Sequence, residues 1–193
     1  MATRGAYAKG VVKREEILEA ALAVVASHGY RKASVREIAE AAGLSPAGLL
    51  HYFGTKEELF VAILRARDER DELAYTGEDS AAAFLAVVAH NASVPGLVQL
   101  YSQLAAEAGD PEHPAHAYFR ERTERVESMT RAQVAADQQS GLLRDDVDAA
   151  WIVRMLHAVA DGLQNAWMLD PTIDMAAEIE QLLVLLRPQS SAR

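Results

Sequence analysis

Between residues 34 and 56 the chain gathers side chains suited to meeting a polyanion. Arg36, His51, Tyr52 and Lys56 are interleaved with the small residues Ala47 and Gly48 and with the hydroxyls of Ser34 and Ser45. Cations and hydroxyls can take phosphate oxygens, and small side chains let a helix backbone come close to base edges. An enzyme would need other chemistry. There is no G-x-S-x-G elbow, no phosphate-binding glycine loop, no HExxH pair and no cysteine, so neither catalysis nor a cofactor is expected. Pro111-Glu112-His113-Pro114-Ala115-His116 places two imidazoles beside a carboxylate. Proline breaks the regular spacing that helical metal ligands use, so the stretch reads as a loop entering the next helix, with no metal site.

Helices must position these groups, because helical spacing recurs and no alternating strand pattern is bounded by turns. Ile17, Ala21, Val24 and Val25 fall on one face of a first helix that stops at His28-Gly29-Tyr30. Ser34-Val35-Arg36-Glu37 has the form of a capping box and opens a second helix, carried by Ile38, Ala39 and Ala42 to Gly43. Ser45-Pro46 then supplies an N-cap and a first-turn proline for a third helix ending near Phe53-Gly54. Leu44, Leu49 and Phe53 can anchor that helix, which leaves Ala47, Gly48 and His51 on another side with Tyr52 beside them. Two short helices joined by a glycine turn and preceded by a supporting helix form a helix-turn-helix, roughly Ser34 to Phe53. Thr55-Lys56-Glu57-Glu58 starts a long fourth helix. Breaks at Tyr75-Thr76-Gly77, Val94-Pro95-Gly96, Gly109-Asp110-Pro111, Ser140-Gly141 and Asp170-Pro171 separate about five more. The expected class is all-α with about nine helices.

Charge agrees with this division better than its total suggests. The net charge is -9, yet residues 1–56 hold eight Lys or Arg against five Glu, and residues 57–193 hold 11 against 23 acidic groups. The amino-terminal end is therefore the phosphate-facing one by charge. The longest apolar run, Ala81 to Ala89, falls well short of the ~20 residues of a membrane span. With no secretory signal pattern at the start, a cytoplasmic protein is expected.

Residues 17–59, ILEAALAVVASHGYRKASVREIAEAAGLSPAGLLHYFGTKEEL, resemble the DNA-binding domain of the TetR family. The likeness lies in Gly29, Ser34, Ile38-Ala39, Gly43, Tyr52-Phe53, Lys56 and Leu59. It implies an amino-terminal DNA-binding domain over residues 1–56 and a helical effector-binding and dimerisation domain over residues 57–193. It also implies that Ala47, Gly48, His51 and Tyr52 lie at the groove with Lys56 on a phosphate. Arg36 is a further contact candidate, and Ser34 and Ser45 are helix caps first. Leu50 departs from the pattern, standing where many members carry a tyrosine that touches DNA.

One short reading helix covers few base pairs, so a homodimer on a palindromic double-stranded operator is expected, with half-sites about 34–36 Å apart. Ile179, Leu182, Leu183 and Leu186 form an apolar stripe on the last helix that is expected to make the dimer, joined by the helix from Trp151 to Met168. The resemblance further implies a small-molecule pocket in the carboxy-terminal domain. Its polar candidates are His90, Gln99, Tyr101, Gln103, His157, Asp161, Asn165 and Trp167. The expected activity is that of a repressor released by an effector. The alternatives are a regulator without small-molecule control, or an activator.

Overall fold

The computed structural model describes residues 3–74 and 80–188, with the side chains of Val12–Ala74 and of residues 81–188; the expected break at Tyr75-Thr76-Gly77 lies outside them. Among the described residues there are nine helices and no strand. They are α1 (Thr3–His28), α2 (Val35–Ala41), α3 (Pro46–Phe53), α4 (Lys56–Ala74), α5 (Ser80–Ser93), α6 (Leu97–Glu107), α7 (Ala115–Ser140), α8 (Ala149–Leu169) and α9 (Met175–Leu185). No single helix among them is long and apolar enough to cross a membrane.

Packing divides the chain into two compact units. Met1–Ala74 and Val94–Tyr118 form the first, and Tyr75–Ser93 with Phe119–Arg193 the second. These units do not follow a cut after Lys56, because α4 packs on α1 and α3 while α6 packs on α1 and α4. Ile17, Val25, Ile38, Leu49, Leu59, Phe60, Leu64, Leu100 and Leu104 are all fully buried in the first unit. Burying nine such side chains at roughly 1.5–3 kcal/mol each is what holds these five helices in one arrangement.

The first unit's turns are fixed by local chemistry. Ser34 Oγ accepts the Glu37 N–H at 3.2 Å, and the Ser34 N–H and hydroxyl donate to Glu37 Oε2 at 3.1 and 2.6 Å. Those bonds hold the Glu37 carboxyl below the usual carboxylate range, the Ser34 hydroxyl contributing most. Gly43 takes φ +67° just past α2, and Leu44 N–H returns to the Ala39 carbonyl at 2.8 Å, a closure that needs a left-handed residue. Thr55 repeats the capping box at α4, exchanging bonds with Glu58 of 2.8 and 3.1 Å.

In the second unit α9 packs on α5 and α8. Val134, Ile152, Val153, Leu156 and Leu186 form its core, with Leu182 and Leu183 partly buried against it. This bears on the expectation for the last helix. Ile179 is 0% exposed and Leu186 8%, while Leu182 and Leu183 are half-buried, so much of the stripe Ile179, Leu182, Leu183 and Leu186 packs inside its own subunit. The physical reason is that a helix covering a two-helix layer needs its widest apolar face inward. On these two helices the large apolar side chains left outside are Trp151, Val159 and Leu169 on α8 and Val184 and Leu185 on α9, with Met129 and Leu142 exposed elsewhere in the unit.

Candidate nucleic-acid interface

Helix α3 is presented by its own caps. Ser45 Oγ accepts the Gly48 N–H at 3.0 Å, and Pro46 occupies the first turn, where no N–H is needed. Leu49 and Phe53 are buried, which anchors one side of the helix on the core. Ala47, His51 and Tyr52 are exposed on the rest of it, and Gly48 is half-buried. The His51 and Tyr52 rings stand edge to face, 6.3 Å between centroids. Arg36 and Ser45 are exposed, while Ser34 is half-buried at the start of α2.

Lys56 is bound more tightly than a free surface lysine. Its ammonium donates to the Ala33 carbonyl at 3.0 Å and lies 5.7 and 5.5 Å from the ring centroids of Tyr30 and Phe60. One of its three N–H donors is thus committed to the chain just ahead of α2. Two α1 cations are engaged similarly. Lys13 Nζ donates to the Ala42 carbonyl at 2.8 Å, and the Arg14 guanidinium lies 4.4 Å from the Phe53 ring centroid. Counting charge along the sequence treats both as phosphate-facing and misses these engagements. The available signal was spacing, since Lys13 and Arg14 sit one helical turn before Ile17 and Leu18, both buried.

Beside this surface the first unit has an open cleft of about 600 Å³ lined by Tyr30, Arg31, Lys56, Glu57, Glu107, Asp110, Glu112, His113 and Pro114. The Tyr30 hydroxyl donates to Glu107, and burial first, then that bond, push its ionisation above the usual phenol range. His113 Nδ1 accepts the Ala115 N–H at 3.2 Å, and His116 Nδ1–H donates to the Ala108 carbonyl at 2.9 Å. These two imidazoles fasten the loop into α7, and no group of three His, Asp or Glu among the described residues is placed to hold a metal.

The eight effector candidates fall in both units. Gln99, Tyr101 and Gln103 belong to the first, and His90, His157, Asp161, Asn165 and Trp167 to the second. His90, Gln99, Asp161 and Asn165 are exposed, and Gln103, His157 and Trp167 half-buried. Tyr101 is buried with the Arg67 guanidinium 5.2 Å from its ring centroid. Burial, then the nearby Arg122, hold the His157 imidazole below its ordinary range. None of the eight lines the cleft near Lys56 or a smaller one of about 480 Å³ along α7. The buried side-chain polar atoms left without a hydrogen bond are instead Arg67 Nε in the first unit and Asn91 Oδ1 in the second, among the described residues.

Comparison with known proteins places this geometry. The family model described as bacterial regulatory proteins, tetR family, matches residues 17–63. The HTH-type transcriptional repressor AcnR of Corynebacterium efficiens is 30% identical over 156 residues, covering 80% of this chain and 81% of that protein. Among solved structures, a TetR transcription regulator from Haloarcula marismortui aligns with a TM-score of 0.77 at 22% identity, covering 91% of this chain and 96% of that one. A transcriptional regulator from Saccharomonospora viridis, solved in complex with choline, aligns with a TM-score of 0.69 at 23% identity, covering 89% and 93%. An all-helical chain that presents a capped, exposed third helix of this kind is a helix-turn-helix transcription regulator. It belongs to the TetR family.

Proposed function

We propose that the chain is a homodimeric repressor that lays α3 in the major groove and is released by a small molecule. The observation that carries this reading is the exposure of Ala47, His51 and Tyr52 on a helix whose opposite side, Leu49 and Phe53, is locked in the core. In this reading Ala47, Gly48, His51 and Tyr52 meet base edges. Arg36 and the two free N–H groups of Lys56 meet the backbone, with the caps Ser34 and Ser45 alongside. Residues 1–56 then carry the DNA function and residues 57–193 effector binding and dimerisation, a division of labour laid across the two packing units.

Selection of binding sites from a random DNA pool tests the reading, with a palindrome as the expected product. Tyr52→Ala and Arg36→Ala should each weaken binding to the selected site by about tenfold or more while leaving helix content intact, since a good base or phosphate contact carries about 1–3 kcal/mol. Lys56→Ala should lower the slope of log affinity against log salt by about 0.9. Unchanged affinity in Tyr52→Ala and Arg36→Ala together would remove α3 from the groove.

For the dimer, the half-buried Leu182 and Leu183 of the α9 stripe Ile179, Leu182, Leu183 and Leu186 are joined by the face left exposed on α8. Trp151, Ala158, Gly162 and Leu169 are all exposed, and their spacing aligns them along one side of a helix. The small residues Ala158 and Gly162 at its middle would let a second helix approach closely. Gly162 is exposed and an added Cβ there meets nothing within 4 Å, so Gly162→Arg starts into open space on this face. It should turn a dimer into a monomer in sedimentation at micromolar concentration; a wild-type monomer, or a dimeric variant, removes this face.

An effector is supported by Asn91 Oδ1 in the second unit, a buried polar atom without a hydrogen bond among the described residues, because such atoms are rare in a finished core. The regulator of this fold solved with choline supports a ligand-holding role for these helices. Coupling between the two sites is typically about 1–3 kcal/mol. A ligand that both raises the melting temperature and lowers operator affinity is the expected finding in a small-molecule screen.

A further inference from the structure

We propose that Lys13 and Arg14 are positioning residues of the DNA-reading surface, which grip the carboxy-terminal ends of α2 and α3 and so set how α3 is presented, rather than contacts to phosphate. This rests on the DNA-reading role given above and deepens it. Both residues leave α1 on the side that faces its neighbours. Lys13 lies four residues before Ile17, and Arg14 four before Leu18, with those two side chains 0% and 6% exposed; positions four apart share a helix face.

Each cation meets a helix end. Ala42 caps α2, so its carbonyl is among those with no partner inside that helix, and it takes the Lys13 ammonium at 2.8 Å. Glu16 holds the same ammonium at 3.1 Å, which neutralises the charge it would otherwise offer to DNA. Arg14 spans the end of α3. Its guanidinium lies 4.4 Å from the Phe53 ring centroid, and its Nη1 reaches the Tyr52 carbonyl at 3.4 Å. The partial negative charge of a helix's last turn favours a cation at both places. One turn of α1 therefore holds the carboxy-terminal ends of both helices that flank the Gly43 turn, α2 where it enters the turn and α3 at its opposite end.

Phosphate contact and positioning predict different measurements on the full chain. In the positioning role, Lys13→Met and Arg14→Gln each lower affinity for the selected operator about tenfold. Binding to unrelated duplex and the salt slope stay unchanged, and amide exchange quickens in residues 40–43 and 50–54 respectively. Arg14→Lys keeps the charge but lacks the planar group that stacks on Phe53, so it recovers only part of the operator affinity. A slope lowered by about 0.9 with equal losses on both DNAs would make these residues phosphate contacts and overturn the proposal. Unchanged operator affinity overturns it too. Should the wild-type protein show no sequence preference at all, the DNA-reading role fails by itself; the exchange rates then decide, quickened exchange upholding the grip and unchanged exchange overturning it.

Discussion

Gly96→Ala should destabilise the first unit by about 2–5 kcal/mol, against a total of about 5–15 for a typical domain. Two costs add. Gly96 caps the start of α6 at φ +80° and ψ -12°, a left-handed conformation that a side chain resists by about 1–2 kcal/mol. A Cβ there would also lie 2.8 Å from the Ala26 nitrogen and Cα, and backbone cannot rotate away as a side-chain tip can. Either α6 or the end of α1 must shift, and overpacking of this kind costs about 1–3 kcal/mol. Gly43→Ala isolates the conformational part, since Gly43 takes φ +67° with nothing within 4 Å of an added Cβ; its cost should stay near 1 kcal/mol. Denaturant midpoints compared at equal slope would show the difference. Equal shifts in the two variants would mean that the close approach of α6 to α1 carries no strain.

Asp68→Ala should cost about 3 kcal/mol or more, as expected when a buried ion pair loses one member. Arg67 and Asp68 are each 8% exposed, and they meet at 2.6 Å between Nη2 and Oδ1. Asp68 Oδ2 also accepts the Tyr118 hydroxyl at 2.7 Å. Without the carboxylate, the Arg67 guanidinium keeps the more distant Asp71, 4.0 Å from Nε, and the Tyr101 ring, and the Tyr118 hydroxyl loses this acceptor. Replacing the group as a whole, Arg67→Met with Asp68→Leu and Tyr118→Phe, should recover most of the loss, because apolar groups of similar volume need no partners. Thermal unfolding of the two variants side by side checks this, and a single variant within 1 kcal/mol of wild type would show that Arg67 is already satisfied without Asp68.

Elements that depend on near neighbours in the chain are legible in the sequence. Ser34 with Glu37, Ser45 with Pro46, Gly43 and Thr55 with Glu58 all sit within a few residues of the backbone groups they satisfy, so their pattern can be read locally. Pockets are harder, because they are built from residues far apart in sequence. The eight polar residues expected to line one are split between the units, and Tyr101 is covered by Arg67. The buried pair Arg67 and Asp68 stands in a stretch whose charge alone would place it on the surface, since a charged run does not say which members find partners such as Tyr118, 50 positions away.

By itself, then, the sequence determined the all-helical class, the helix-turn-helix with its caps and turn, and the family, because each is encoded in short-range spacing. Tertiary structure decided how the apolar and charged side chains are spent. It buried Ile179 and Leu186 inside the subunit and left the Trp151 to Leu169 face of α8 outside, since which face turns inward depends on what α5 and α8 bring against α9. Likewise it drew Lys13, Arg14 and Lys56 onto carbonyls and rings. A cation's partner is whatever the folded chain puts within a few ångströms, and composition alone cannot supply that distance.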